Sequence, residues 1–154
     1  MTGATWRVVV LLLVSGYGLA CGERSLEPAH LDTRSREACA ACRMVISSAR
    51  TAGQVVSRDG EPRFFDDLGC LRAWLGQNRP GSDHVIYVAD HRTGVWVPAD
   101  RAVFASSSRV DTPMGSGLVA YADKASMAAD TAAAPFIEVS RAHALGEAFA
   151  GSTR

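Results

Sequence analysis

One short pattern occurs twice in this chain: a hydrophobic strand that ends in aspartate and runs directly into a helix. The first copy reads "FFDD" before "LGCLRAWLGQN", and the second reads "AYAD" before "KASMAADTAA". When Asp67 is aligned with Asp123, Cys70 falls opposite Ser126. The repetition favours two small strand–strand–helix (ββα-type) modules over one large sheet. We therefore predict an α+β fold.

Short strands are predicted around both helices, because alternating or apolar runs lie between turn residues. Leu68, Leu71 and Leu75 share one face of the first helix, and Asp66 or Asp67 can cap its start. The two carboxylates could also form an acid–base pair, but their position before a helix favours capping. The predicted strands are "RMVIS", "GQVVS", "RFF", "HVIYVAD", "GVWVPA", "AVFAS", "LVAYAD" and "PFIEVS", and "RAHALGEAFA" is a predicted terminal helix.

The first twenty residues have the layout of a secretory signal. An early cation, Arg7, precedes an apolar run that is too short to span a bilayer, and small residues come before Cys21. The sequence "GLAC" resembles a bacterial lipobox, in which the cysteine is lipidated, and the alternative is plain secretion. We predict a lipoprotein-type signal peptide at residues 1–20 and lipidation of Cys21, so that acyl chains attach the protein to the membrane. Gly22, rather than aspartate, after the cysteine favours the outer membrane, with the domain facing the periplasm.

A polar stretch follows the predicted lipid anchor. Residues 21–37 contain a proline and show no hydrophobic periodicity, which is typical of a flexible tether. The folded domain is assigned to residues 38–150, with sub-modules at about 38–79 and 82–150.

The charge of the chain limits the choice of partner. Sixteen basic and sixteen acidic residues give a formal net charge of zero, and the charges are scattered. No basic stripe is available to cover phosphates, which argues against nucleic acid as the main partner.

The segment "CAACRM" allows four kinds of chemistry. If Cys21 is lipidated, Cys39, Cys42 and Cys70 remain, and an odd number of thiols cannot all pair within the chain. Structural zinc requires four ligands, but there is no second CxxC and the histidines are dispersed. A redox pair needs a following helix to lower the thiol pKa, whereas "MVIS" is typical of a strand. A structural disulfide and a site for a soft metal are the other two hypotheses.

A soft-metal site accounts for the methionines as well as the thiols. Thiolates and thioethers select Cu(I) over harder ions. If "CRM" is extended, Cys42 and Met44 point to the same side, because strand side chains alternate. Met114, between proline and glycine in "TPMGSG", offers a second thioether. The predicted ligands are Cys42, Met44 and Met114, with Cys39 and Cys70 as further candidates.

Several of these motifs occur together in the order found in one known family. "CAACRMVIS", "FFDDLGCLRAWL" and "TPMGSGLVAYADKASM", preceded by a lipobox-like cysteine, resemble the NosL family of nitrous-oxide-reductase accessory lipoproteins. The family's copper-binding cysteine and methionine fall on Cys42 and Met44, and its loop methionine falls on Met114. The resemblance implies a compact domain of two small modules.

The resemblance also implies a function. It implies a Cu(I) metallochaperone of the bacterial cell envelope, anchored by lipid, that supplies copper for the multicopper sulfide centre of nitrous oxide reductase in denitrification. The partners implied are that reductase or its assembly factors, with no small-molecule substrate and no enzymatic activity. The alternative from another class is a thiol–disulfide reductase, or another thiol-dependent enzyme, that uses Cys39, Cys42 and Cys70.

Overall fold

The computed structural model describes residues 26–58 and 60–147. The predicted signal peptide and the predicted lipidation site at Cys21 lie outside the described residues. The secondary structure consists of seven strands and three α-helices within these ranges, together with a 3-10 helix at Ala49–Thr51. In chain order the elements are β1 Gly53–Ser57, β2 Arg63–Phe65, α1 Leu68–Gln77, β3 His84–Ala89, β4 Trp96–Pro98, β5 Val103–Ser106, β6 Leu118–Tyr121, α2 Lys124–Ala129, β7 Ile137–Val139 and α3 Arg141–Leu145.

The strands form two small antiparallel sheets. The first sheet has the order β2-β1-β3-β4, and the second has the order β6-β5-β7. Along the chain, α1 lies between β2 and β3, α2 lies between β6 and β7, and α3 follows β7. The predicted α+β class is confirmed, and two small modules are compatible with this arrangement.

The sheets divide the chain at a different place from the predicted sub-modules. β3 and β4 fall in the predicted second sub-module, but they belong to the first sheet. β3 pairs with the whole length of β1, from Gly53 opposite Val88 to Ser57 opposite His84. Four of the five residues of β1 are buried, and the strand has a partner on each side. The division between the sheets therefore lies between β4 and β5.

Every predicted strand and helix except one, near the cysteines, has a counterpart in the structure. β1 and β2 coincide with "GQVVS" and "RFF", whereas α2 and α3 end earlier than predicted. The predicted strand "RMVIS" is wrong, since its only ladder contact is an isolated bridge between Ala38 and Val45. The short bridge leaves residues 39–44 free to form a loop instead of an extended strand.

One core connects the two sheets. The predicted apolar face of α1 is buried, with Leu68, Leu71 and Leu75 each no more than 1% exposed. This face packs in the same hydrophobic cluster as Phe104 of β5 and Leu145 of α3. Two of the three described cysteines, Cys39 and Cys70, are also buried in this cluster.

The residues before position 38 are packed against the first sheet. The backbone of Ala29 exchanges two hydrogen bonds with the Gln54 side chain, of 2.8 Å and 3.2 Å. The Tyr87 hydroxyl donates to the carbonyl oxygen of Leu26, and Leu31 lies in the core. The packed part of the domain therefore begins before residue 38, within the stretch predicted as a tether. In the described part of the chain, no helix has the length and hydropathy needed to cross a membrane.

Asp90 joins the two sheets at the end of β3. Its carboxylate accepts hydrogen bonds from the Ala122 N–H at 2.8 Å and from the Ser126 hydroxyl at 2.6 Å. The following N–H, of His91, donates to the Ala120 carbonyl in β6. The contact fixes the second sheet against the first.

Candidate metal centre

A tight loop, residues 39–44, presents the first two cysteines and is called here the cysteine loop. The Cys39 N–H donates to the Met44 carbonyl at 2.8 Å, and the Arg43 N–H donates to the Cys39 carbonyl at 3.0 Å. These bonds close the loop directly above the Ala38–Val45 bridge. Cys39 and Cys42 are thereby held in a single turn.

The predicted extended conformation of Cys42–Arg43–Met44 is wrong. Arg43 has a φ of 68°, in the left-handed region that non-glycine residues seldom adopt. The prediction that the sulfurs of Cys42 and Met44 point to the same side relied on the alternation of side chains in a strand. That alternation does not apply here, because the backbone turns at Arg43. The cysteine loop instead directs Cys42 toward the start of α1.

The start of α1 supplies the other two members of the site. Asp67 is the N-cap, and its carboxylate accepts from the Gly69 N–H at 2.5 Å and from the Met114 N–H at 3.1 Å. This leaves Asp66, a residue that is 1% exposed and does not cap the helix. Cys70, in the first turn of α1, lies on the same side of the helix as the core.

These elements bring three thiols and one carboxylate together. One ligand atom from each of Cys39, Cys42, Asp66 and Cys70 lies within 4.8 Å of the others. The Cys42 sulfur is 3.6 Å and 3.7 Å from the two carboxylate oxygens of Asp66, to which it donates. All three described cysteines are free thiols. This set of four residues is the cysteine–aspartate cluster.

Exposure differs among the three thiols. Cys39 is fully buried and Cys70 is 6% exposed, whereas Cys42 is partly exposed. Burial raises the pKa of Cys39 above its ordinary value. Burial, with a further contribution from Cys39, also raises the pKa of Cys70. The two buried sulfurs are therefore protonated at neutral pH, and a metal that binds them as thiolates must displace their protons.

The cluster has the dimensions and the donors of a site for one soft metal ion. A metal–thiolate bond is about 2.3 Å long, so two sulfurs on one ion lie at most about 4.6 Å apart. The observed separations require little movement to reach that range. Sulfur donors of this kind favour Cu(I) and Zn²⁺ over magnesium or calcium.

The two predicted methionine ligands lie at the surface near the cluster. Met44 and Met114 are each 50% exposed. Met44 lines an open cleft of about 430 Å³ together with residues 110–113, which lead directly to Met114. The loop that carries Met114 is tied to Asp67, the neighbour of Asp66, by a backbone hydrogen bond. A role of these thioethers as ligands remains a prediction.

A histidine also faces this cleft. His91 lines it and lies 2.7 Å through Nδ1 from a carboxylate oxygen of Asp130. The same oxygen accepts from the Tyr121 hydroxyl at 3.1 Å. Burial would raise the pKa of Asp130, but the hydrogen bonds from His91 and Tyr121 outweigh it and lower the pKa. The pair fixes the orientation of the imidazole ring.

The predicted ligands and further candidates included the three cysteines that the structure brings together, but not Asp66. The sequence predicts that Asp66 or Asp67 caps the helix, and in the structure Asp67 has that role. The pair of adjacent aspartates could have indicated a second role, because a helix has one N-cap residue. The other carboxylate is then available to another partner. Cys70, at the third position of the same helix, belongs to the group of residues that Asp66 joins.

Comparison with known proteins gives one positive result. A family model described as NosL matches residues 30–152, which is most of the chain. A search of curated proteins found no match. The matched range includes the cysteine loop, α1, and the loop that carries Met114.

Proposed function

The chain belongs to the NosL family, and from this premise we propose that it is a carrier of Cu(I) that supplies copper for the assembly of nitrous oxide reductase. NosL proteins are copper-binding accessory proteins and not a known family of enzymes. The observation that carries the proposal is the cysteine–aspartate cluster, whose four donors lie within 4.8 Å of one another. Copper is the cargo of such a protein and not a resident cofactor.

The unequal exposure of the thiols suits a carrier. Cys42 is the partly exposed member of the cluster, and Cys39 and Cys70 lie behind it in the core. An ion held at Cys42 can be approached by a ligand of another protein before its bond to the buried sulfurs is lost. Copper then passes from donor to acceptor by ligand exchange, with no free ion as an intermediate.

The two surface methionines extend the site toward the acceptor. Thioethers bind Cu(I) and remain uncharged, so they can be exposed without attracting harder cations. We propose that Met44 and Met114 complete the coordination of an ion at Cys42. Their half-exposed position suits ligands that release copper readily.

The competing enzymatic function receives less support. A thiol–disulfide reductase needs an exposed thiol of lowered pKa, in general at a helix N-terminus. Cys70 is the thiol in the first turn of α1, but it is buried and its pKa is raised. The cysteine loop is followed by an isolated bridge and not by a helix.

The proposed place of action is the bacterial cell envelope. We propose that Cys21 carries the lipid anchor, that the domain faces the periplasm, and that the anchor lies in the outer membrane. The acceptor proposed is nitrous oxide reductase or one of its assembly factors.

A Cu(I) competition titration tests the carrier function. The full-length chain, purified in detergent with reductant, is titrated against a chromophoric Cu(I) chelator, and the same titration is run with Zn²⁺. We expect one tightly bound Cu(I) per chain. Cys42→Ser should weaken binding by at least about 100-fold, since even the loss of outer-shell partners commonly costs 10–100-fold. Met44→Leu and Met114→Leu should each weaken it by about 10-fold.

Met127→Leu is the matched control for the methionine variants, because Met127 packs in the second, smaller core cluster. It should leave the Cu(I) affinity unchanged. A protein that binds Zn²⁺ but not Cu(I), or whose Cu(I) affinity is indifferent to Cys42, would contradict the carrier function.

Delivery is tested separately with the proposed acceptor. The copper-loaded chain is mixed with copper-free nitrous oxide reductase, and the absorption of the reductase's copper centres is followed after separation. We expect copper to reach the reductase faster from the loaded chain than from an equal amount of chelated Cu(I). Equal rates from both sources would rule out a specific delivery function while leaving copper binding intact.

A further inference from the structure

Two of the three thiols in the cysteine–aspartate cluster lie in one backbone turn. Cys39 and Cys42 are three residues apart, and the hydrogen bond from the Arg43 N–H to the Cys39 carbonyl closes the turn between them at 3.0 Å. Residues three apart on such a turn are neighbours. Their sulfurs lie within 4.8 Å of each other, and both are free thiols.

The third thiol is held by a different element. Cys70 is fixed in α1, a ten-residue helix anchored by its cap at Asp67. Cys39 and Cys42 both belong to the cysteine loop, which is bounded by the isolated Ala38–Val45 bridge and tied to β2 by the hydrogen bond from the Ala40 N–H to the Phe64 carbonyl. Moving the sulfurs of Cys39 and Cys42 to bonding distance requires side-chain rotation within the cysteine loop. Moving Cys70 to bonding distance requires a shift between two packed elements. Geometry therefore favours the pair within the loop.

From this geometry we propose that Cys39 and Cys42 form a reversible disulfide when the site is empty, so that the cysteine–aspartate cluster accepts copper only in its reduced state. The inference rests on the proposed function, since it describes how loading of the same site is controlled. The oxidised cluster keeps one thiol, Cys70, and the Asp66 carboxylate. Two of its three sulfur donors are lost together.

The oxidant in this reaction is a second disulfide, of the kind found in protein oxidants of oxidising compartments. The partly exposed Cys42 sulfur, as thiolate, attacks the oxidant's disulfide; a mixed disulfide forms and one thiolate leaves. The Cys39 sulfur, after losing its proton, attacks the Cys42 sulfur and expels the second thiolate. The two thiols of the cluster are oxidised by two electrons, one disulfide is reduced, and both protons end on the released dithiol.

Bound copper should prevent this reaction. The attacking sulfur is a ligand of the ion in the loaded form, so its electron pair is engaged. The loaded protein is therefore protected and the empty protein is not. A carrier with this property would be reloaded only after a reductant has opened the disulfide.

The chain offers a direct readout of which sulfurs pair. Cleavage after arginine places Cys39 and Cys42 in one peptide, residues 37–43, and Cys70 in another, residues 64–72. A bridge between Cys39 and Cys42 leaves the first peptide two hydrogen atoms lighter and Cys70 open to alkylation. A bridge to Cys70 links the two peptides into one species.

The experiment treats the full-length chain in detergent with oxidised glutathione, with and without one equivalent of Cu(I), then alkylates, digests and weighs the peptides. In parallel, the Cu(I) affinity of the oxidised and reduced protein is measured by chelator competition. We expect the internally bridged 37–43 peptide in the empty protein and its absence after copper loading. The oxidised form should bind Cu(I) at least about 100-fold more weakly, and reductant should restore the affinity.

Cys39→Ser provides a matched variant that retains Cys42. It should keep glutathione as a stable mixed disulfide on Cys42, because the thiol of the same turn is absent and Cys70 is held in α1. Linked 37–43 and 64–72 peptides, no bridge at all, or an oxidised protein with unchanged Cu(I) affinity would each overturn the inference. If the reduced protein itself fails to bind Cu(I), the carrier function is also wrong. The Cu(I) affinity of the reduced sample therefore distinguishes failure of the carrier function from failure of the disulfide proposal.

Discussion

Asp66 and Asp67 are neighbours in sequence with separate structural roles. Asp67 caps α1 and also accepts a hydrogen bond from the Met114 N–H, which holds the loop before β6. Asp66 accepts a hydrogen bond from the Cys42 thiol. Burial would raise the pKa of Asp67, but hydrogen bonds from Ser116, Thr112 and two backbone N–H groups lower it. One aspartate therefore shapes the local backbone, and the other belongs to the site.

The role of Asp66 can be tested by removing its charge. We expect Asp66→Asn to weaken Cu(I) binding by about 10-fold, because the carboxylate that orients the Cys42 thiol and neutralises the metal's charge is lost. The measurement is chelator competition on the full-length chain. Asp100→Asn is the control, since Asp100 is exposed. Equal affinity of Asp66→Asn and the wild type would remove Asp66 from the site.

At the scale of single elements, α1 contains two glycines in contrasting surroundings. A Cβ on Gly69 would lie 2.8 Å from the Asp67 carboxylate and 2.9 Å from the Ser116 Cβ. A Cβ on Gly76 would meet nothing within 4 Å. The helix is thus packed closely against the neighbouring loop at its start and is open near its end.

The two glycines predict opposite effects of the same substitution. Gly69→Ala should lower the free energy of unfolding by about 1–3 kcal/mol, because the neighbours of a tightly packed site must shift. Gly76→Ala should raise it by about 0.5–1 kcal/mol, because alanine favours the helix and no contact is disturbed. Urea denaturation of both variants checks the pair. A stabilising Gly69→Ala would show that the helix start is not held as closely as described.

Elements with strong patterns were predictable from the sequence, and the cysteine loop was not. The apolar run of β1 and the leucine face of α1 are local patterns, which the sequence displays directly. The β-branched residues after Met44 suggested a strand, but that segment has only the Val45 bridge as a partner. Whether a segment becomes a strand depends on a partner that can be distant in sequence. For β1, for example, the partner β3 lies some thirty residues later in the chain, after α1. The convergence of Cys70 on the cysteine loop is likewise a tertiary feature.

At the scale of the whole molecule, Asp90 links the two sheets and should make stability depend on pH. Burial would raise the pKa of Asp90, but hydrogen bonds from Ala122, Ser126 and Thr93 outweigh it and lower the pKa to about 2. The folded-state pKa is below the unfolded-state value. The stabilisation is therefore present above the unfolded pKa and is lost as the pH falls toward the folded one.

We expect Asp90→Asn to lower the free energy of unfolding by about 2 kcal/mol at neutral pH. The difference from the wild type should shrink as the pH falls from about 4 toward about 2, where the wild-type carboxylate also loses its charge. Denaturant titrations at several pH values measure it, with Asp100→Asn as the exposed control. A difference that stays constant down to the lowest pH would assign the effect to shape and not to charge.

If Cys21 carries a lipid anchor, as proposed, the packing of residues 26–31 on the first sheet limits how far the domain can move from the membrane. Leu26 is already held by the Tyr87 hydroxyl, and only five positions separate it from Cys21. With Cys21 lipidated, as proposed, even a fully extended chain of that length spans only about 17 Å. The domain would then stay close to the bilayer surface and move laterally with its anchor. A copper acceptor would then have to approach the membrane surface to receive the ion.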